Sequence, residues 1–244
     1  MLVSIIMPYF RKKKYIKDSV LSVLNQSYKN FELIIIFDDT DQYDLSFIYE
    51  IEKLDNRIKI LINKTNLGAG FSRNVGINYS KGFFLAFLDS DDTWDKDKLL
   101  LQVNFMKKNN YMITHTSYQI IDENDKIIGS RIAKTMNYSK LIRSCDVGLS
   151  SVVLRKELLS ENIRFPNLKT KEDFVLWLNI TRNGQCINAL NNNLLRWRRN
   201  ANSLSSSTIR KLIDGYYVYR LQNFGLIKSL YSLFVLSINF LRKN

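Results

Sequence analysis

The sequence predicts an α/β protein: a mostly parallel, Rossmann-like central sheet flanked by helices, with a helical tail at the C-terminus. Three observations carry this expectation. Short apolar runs alternate with amphipathic segments through the first half. The runs are continuous rather than alternating, as in strands covered on both faces. Acidic or polar clusters follow them, at the strand ends where open α/β sheets hold ligands.

In chain order, strands are expected at 2–7, 32–37, 58–62 and 83–88. Helical spacing joins them through Ile16, Val20, Val23 and Leu24, then Phe47, Ile48, Ile51 and Leu54, then Phe71, Val75 and Tyr79. A helix over 95–110 precedes strands at 112–121 and 126–129, turned by Asn124-Asp125. The second half is mixed, with a strand at 152–154, a helix over 172–183 ended by Gly184, and two short strands at 187–190 and 194–198. After a polar break at 203–208, two helices are expected. They hold Arg210, Lys211, Arg220, Lys228, Arg242 and Lys243 against one acid, Asp214. The last helix carries Gly225, Lys228, Ser229, Ser232, Asn239 and Lys243 on a narrow polar stripe, with Leu236 intruding, and is apolar elsewhere. Such a helix lies in an anionic membrane interface, or packs on the domain or on a second copy of the chain, which leaves a homodimer open.

The composition narrows the class. A chain of 244 residues, 45% hydrophobic, can bury a full core. Two prolines, nine glycines and no fixed repeat argue against solenoids and propellers. Cys145 and Cys186 make no disulfide or thiolate framework, and the sole histidine, His115, falls in an expected core strand, which removes support for a Ser-His-Asp triad or a histidine-rich zinc site. The net charge of +13 calls for a polyanionic partner or surface. Residues 1–8 lack the features of a signal peptide, and 224–241 approaches but does not reach a purely apolar span, so cytoplasmic residence with peripheral attachment is expected.

The most telling chemistry is Leu88-Asp89-Ser90-Asp91-Asp92, directly after Phe83-Phe84-Leu85-Ala86-Phe87. Carboxylates crowded at one strand end are hard ligands suited to Mg²⁺ or Mn²⁺, which in turn neutralise the phosphates of a nucleoside diphosphate. The plainer reading is an acidic turn that caps a following helix.

Together with this run, Ser4-Ile5-Ile6-Met7-Pro8-Tyr9-Phe10, Asp38-Asp39, Asn66-Leu67-Gly68 through Ser72-Arg73-Asn74-Val75-Gly76, and Lys171-Glu172-Asp173-Phe174-Val175-Leu176-Trp177 resemble the family-two glycosyltransferases of the GT-A fold. The resemblance implies a glycosyltransferase domain over 1–205, with a nucleotide-binding half at 1–95 and an acceptor half at 96–205, followed by the basic amphipathic tail at 206–244. It implies that Pro8 and Phe10 wall the nucleotide base and that Asp39 accepts from an imide N–H, favouring a UDP-sugar donor. Arg73 would bridge nucleotide and phosphates at a glycine-turned helix entrance suited to an anion. Asp89 would touch ribose or sugar, and Asp91 would hold the divalent cation, with Asp92 the weaker candidate. Asp173 would be the general base for an inverting displacement. Arg198 or Arg199 would bind the diphosphate, because Asn200 stands where many members carry a histidine.

The Gln-x-x-Arg-Trp signature of processive synthases is absent, which implies one sugar per encounter. A lipid-linked saccharide acceptor in bacterial surface polysaccharide assembly is the implied setting. Transfer to a polyprenyl phosphate is the rival within enzymes, and a non-catalytic nucleotide-sugar binder lies outside them. Nucleic acid is not an expected partner, although Arg196-Trp197-Arg198-Arg199 sets an aromatic among arginines.

Overall fold

The computed structural model describes residues 1–199 and 208–241. Strand β1 (Val3–Tyr9) lies between β2 (Phe31–Phe37) and β4 (Phe84–Phe87), with β3 (Ile58–Ile62) outside β2, and these pairings are all parallel. Helices α1 (Lys13–Leu24), α2 (Leu45–Glu52) and α3 (Gly68–Tyr79) connect them. The period of two along each strand sorts its side chains into two cores. Ile6, Ile34, Ile36, Leu85 and Phe87 pack with Ile77 of α3 on one face. Val3, Ile5, Met7, Leu33, Ile35 and Ala86 pack with α1 and α2 on the other.

The register decides where the site can form. Tyr9 lies opposite Phe37, the Asp38 amide donates to the Tyr9 carbonyl, and the Leu88 amide donates to the Ile6 carbonyl. The chain therefore leaves β1, β2 and β4 at one edge, delivering Phe10, Asp38-Asp39 and the acidic run side by side. Gly76 lets α3 press against this sheet, since a Cβ there would lie 2.7 Å from Ile6 Cγ2 and 2.9 Å from Ile36 Cδ1.

Beyond β4 the sheet becomes mixed. It runs through β8 (Val153–Arg155), β6 (Ile113–Ile121), β9 (Asn188–Arg198) and β5 (Thr93–Trp94), with β7 (Ile127–Arg131) as a hairpin partner of β6. Strand β9 unites the two short strands expected at 187–190 and 194–198. Register shifts against β6 around Ser117 absorb the exposed Asn191-Asn192-Asn193 run, which has no apolar face to bury. Helix α4 (Lys98–Asn109) begins later than expected because the pairing of β5 with β9 continues into Asp95, whose amide donates to the Leu194 carbonyl at 3.0 Å. The short helix α5 (Tyr138–Leu141), capped by the Asn137 side chain, carries too little periodicity to be read in advance. Helix α6 (Glu172–Thr181) ends before Gly184, whose φ of +88° turns the chain.

Both tail helices form, as α7 (Thr208–Leu221) and α8 (Leu226–Leu241). Asp214 anchors α7 by accepting from the Thr170 amide at 3.0 Å and the Thr170 hydroxyl at 2.8 Å. Helix α8 packs through its polar stripe: Ser229, Ser232 and Leu236 are buried, while Ile227 is 86% exposed and Leu226, Leu230, Tyr231, Phe234 and Leu241 are also open. Burial of Ser229 carries no penalty because its hydroxyl bonds to the helix's own Gly225 carbonyl at 2.9 Å. The wide apolar face is thus the one in solvent. No helix among the described residues is long and apolar enough to cross a membrane. The polar break at 203–207, Asn200, Arg242 and Lys243 lie outside the described residues.

Candidate active site

Asp38 and Asp39 leave β2 together and do different things. Asp38 is buried and accepts from Asn63 Nδ2 at 2.7 Å, the Leu67 amide at 2.8 Å and the Gly68 amide at 2.8 Å. It therefore closes the first turn of α3 with its own carboxylate, the anion that a helix N-terminus favours. The helix entrance that the sequence suggested for a ligand's charge is occupied from within the chain, and Gly68, at φ +78°, makes the turn that allows it. Asp39 points the other way. It accepts from Arg11 Nε at 2.9 Å and Nη2 at 3.2 Å, and the Arg11 guanidinium holds it below the usual carboxylate range. Pro8 lies at the end of β1 and Phe10 just beyond it, with Phe10 43% exposed.

Arg73, on α3, is buried and forks between two carboxylates. Nη2 donates to Asp89 at 2.6 Å and Nη1 to Glu172 at 2.7 Å, while the guanidinium lies over the Phe165 ring. Burial opposes the charge, but the carboxylates of Asp89 and Glu172 outweigh it and raise Arg73 above the usual arginine range. Gly70 sits under this pair, where a Cβ would come within 3.2 Å of Glu172 Cγ.

The acidic run divides its labour. Asp92 faces inward, accepting from the Ser150 hydroxyl at 2.6 Å and the Arg198 amide at 2.8 Å. Burial, then the charges of Asp91 and Asp89, push it well above the carboxylate range. Asp91 meets the Lys12 ammonium at 2.8 Å and is raised by burial. Arg198 lies beneath this turn, with a side chain only 3% exposed. Its Nε donates to the Asp91 carbonyl at 3.1 Å, Nη1 to the Asp122 carbonyl at 2.9 Å and Nη2 to Asp125 at 2.6 Å. These bonds make it a brace from β9 to the acidic turn and the β6–β7 hairpin. Arg199 is exposed. His115 is buried, with Nε2 2.9 Å from the Lys134 carbonyl.

Among the described residues, no three Asp, Glu, His or Cys side chains converge as a metal cluster. With Asp92 turned inward and Asp89 on Arg73, the acidic run presents one carboxylate, Asp91, toward the basic β1–α1 turn. That donor set fits Mg²⁺ or Mn²⁺ only when phosphate oxygens and water complete the shell, which is how Mg²⁺ is commonly held.

Asp173 stands in the first turn of α6, after Lys171 in a left-handed conformation at φ +63°. Its Oδ1 accepts from the Phe174 amide at 2.7 Å. Burial, followed by the neighbouring Glu172 charge, raises it to about 7, so it takes up and releases a proton near neutrality. Glu172 links Asp173 through Arg73 to the acidic run. The structure thus gathers Phe10, Asp39, Arg73, Asp89 and Asp91 at the sheet edge and connects Asp173 to them.

Sequence reasoning missed Arg11, Lys12, Glu172 and Ser150. The Arg11-Lys12-Lys13-Lys14 run directly after Phe10 was the available signal for the first two; Ser150 had none, because its partner Asp92 is far away in sequence.

Comparison with known proteins gives the family and the fold. The family model for "Glycosyl transferase family 2" matches residues 4–161. The chain is 39% identical over 86% of its length to the Escherichia coli UDP-Glc:alpha-D-GlcNAc-diphosphoundecaprenol beta-1,3-glucosyltransferase WfgD, of which 82% is covered. It is 32% identical over 90% of its length to the putative teichuronic acid biosynthesis glycosyltransferase TuaG of Bacillus subtilis, covering 87% of that protein. Among solved structures, S. aureus TarS 1-349 in complex with UDP-GlcNAc superposes with a TM-score of 0.76 at 24% identity, over 96% of this chain and 70% of that one. Acidic and basic motifs gathered at the edge of a parallel sheet, a matching family model over most of that sheet and relatives aligned along nearly the whole chain lead to one conclusion: this chain belongs to glycosyl transferase family 2 and has the GT-A fold.

Proposed function

We propose that the chain transfers one sugar from a UDP-sugar to a hydroxyl of a lipid-linked saccharide, with inversion, in bacterial surface polysaccharide assembly. The observation that carries this reading is the Arg73 fork, which ties Asp89 at the donor end to Glu172 beside Asp173. UDP-glucose and a GlcNAc-diphosphoundecaprenol acceptor are favoured because the name of the relative WfgD specifies both. In this mechanism Asp173 removes the proton from the acceptor hydroxyl as its oxygen attacks the anomeric carbon. The bond to the nucleoside diphosphate breaks on the opposite face, and UDP carries away the electron pair. Phe10 and Asp39 orient the base, and Arg73 keeps Asp89 and Glu172 in place. Asp91 would hold a divalent cation, which would supply charge neutralisation to the departing diphosphate.

The tail supports placement at a membrane surface. The open face of α8 is apolar, Lys228 on α8 and Arg210 and Arg220 on α7 are exposed, and the sole tail acid, Asp214, is buried on Thr170. Sixteen residues of helix reach only about 24 Å, which suits lying in an interface rather than spanning it. The tail's surplus of exposed cations makes an anionic lipid surface the better fit for this face. Vesicles rich in anionic lipid should pellet the wild type, neutral vesicles should not, and Ile227→Asp with Phe234→Asp should abolish pelleting.

Thermal shifts with UDP, GDP, CMP, dTDP and ADP, with and without Mn²⁺, test the donor and the cation together. The reading predicts stabilisation by UDP, enhanced by Mn²⁺ and lost in Asp91→Ala; saturating ligand at 100 times Kd adds about 2.7 kcal/mol. A folded protein that responds to no nucleotide overturns it. Formation of glucosyl-GlcNAc-diphospholipid from UDP-glucose, abolished in Asp173→Asn, then tests the acceptor.

A further inference from the structure

The turn between β1 and α1 lays a guanidinium across the base end of the site. Arg11 Nε donates to Asp39 Oδ2 at 2.9 Å, Nη2 donates to Oδ1 at 3.2 Å, and the same group reaches Asp41. Its central carbon lies 5.0 Å from the centroid of the Phe10 ring. The Arg11 side chain is 53% exposed, whereas that of Asp39 is 1% exposed, so Arg11 covers the carboxylate that faces it. The backbone at Arg11 has φ +51°, in the left-handed region that asparagine and glycine enter more readily than arginine. The site tolerates that conformation while the side chain is held at both ends.

We propose that Arg11 occupies the nucleobase subsite as an internal surrogate for the base, and that a uracil ring must displace it to bind. This rests on the assignment of Phe10 and Asp39 as the base subsite. The chemistry is matched on both counts. A guanidinium is flat, stacks on an aromatic face and presents N–H groups to a carboxylate, as the imide edge of uracil does. Two such groups cannot share one ring face and one shielded carboxylate. Displacement is mechanically simple, because the Arg11 side chain is half in solvent and swings away without opening the core. Apparent donor affinity is then reduced by the fraction of molecules in which Arg11 is in place.

The test is calorimetric binding of uridine and of UDP to wild type, Arg11→Ala, Arg11→Asn, Asp39→Asn and the Arg11→Ala/Asp39→Asn double variant, at fixed ionic strength. Asparagine suits the left-handed backbone, so at least one variant keeps the turn without strain. Removing Arg11 should tighten both ligands by about three- to tenfold and by a similar factor for each, since the competition is at the base. In the Asp39→Asn background, Arg11→Ala should bring no gain. Simple loss of a cation near phosphates would instead weaken UDP and leave uridine unmoved. Unchanged or weaker uridine binding in both Arg11 variants, with UDP still binding the wild type, overturns the proposal and spares the donor-site reading. Failure of every protein, wild type included, to bind UDP overturns both.

Discussion

Replacing Glu172 by Gln separates the two influences on Asp173. Asp173 is raised from 3.8 to about 7 by burial first and by the Glu172 charge second. The amide of Gln keeps an acceptor for Arg73 Nη1, now 2.7 Å from Glu172, and deletes only the charge. Burial is unchanged, so the acid limb of kcat/KM should sit near pH 7 in the wild type and move down by about one pH unit in Glu172→Gln, equivalent to about 1.4 kcal/mol. At pH 5 to 6, each enzyme read against its own plateau, the variant should retain up to about tenfold more of its activity. The assay is acceptor kcat/KM at saturating UDP-sugar from pH 5 to 9 at constant ionic strength. A wild-type limb at pH 4 to 5, or a limb that does not move in the variant, refutes the account. Stability mirrors it. Between the ordinary carboxylate range and about pH 7 the native protein holds a proton that the unfolded chain has released. The stability from this group is therefore full below the unfolded value and lost as pH rises through 7. Asp173→Asn should match the wild type near pH 4 and exceed it at pH 8 by on the order of 2–4 kcal/mol.

Gly76→Ala forces a methyl to within 2.7 Å of Ile6 and 2.9 Å of Ile36, and denaturant melts should show a loss of about 1–3 kcal/mol despite the better helix propensity of alanine. Asp38→Ala leaves the Leu67 and Gly68 amides and Asn63 without their acceptor and should cost about 2–4 kcal/mol by the same measurement. Lys98 is buried over the Trp94 ring, donates to Gln102 at 3.0 Å, and is lowered to about 7 by burial. Between pH 7 and its unfolded value the unfolded chain holds the extra proton, so wild-type stability from this group rises with pH. Lys98→Met should be more stable by about 2 kcal/mol at pH 6, an advantage that shrinks toward pH 10.

The first half of the fold was readable because its strands are unbroken apolar runs and its helices keep an apolar period. The register at Tyr9 and Phe37 then brings the motif residues together with little further information. The second half depends on pairings between distant segments. Thr93-Trp94 is too short to show a period and exists as a strand because β9 pairs with it. The Asn191-Asn192-Asn193 run reads as a gap and is carried through by shifts against β6. In the site, carboxylates at strand ends were legible as a group, but their separate roles were not. Asp38 and Asp39 are adjacent in sequence and face opposite tasks, and the inward turn of Asp92 is decided by Ser150 and the Arg198 amide. Arg198 was visible as a cation; its use as a brace depends on Asp122 and Asp125 in a hairpin whose position the sequence does not state. Of the polar stripe expected on the tail, Ser229 and Ser232 are buried while Gly225 and Lys228 are exposed, and burial of Ser229 depends on a hydroxyl that bonds to the chain's own preceding turn.

Asp38 has a consequence for how long a product stays. Many phosphate-binding folds hold their ligand with the amides at a helix start, a fixed set of dipoles that remains in place after the reaction. Here two of those amides, of Leu67 and Gly68, are committed to Asp38 and are not open to a diphosphate leaving group. In the proposed reaction its hold would come instead from side chains such as Lys12, 2.8 Å from Asp91, and from a cation that can leave with it. Under the proposed function the arrangement favours turnover over retention, because the departure of that cation would loosen the grip on the product.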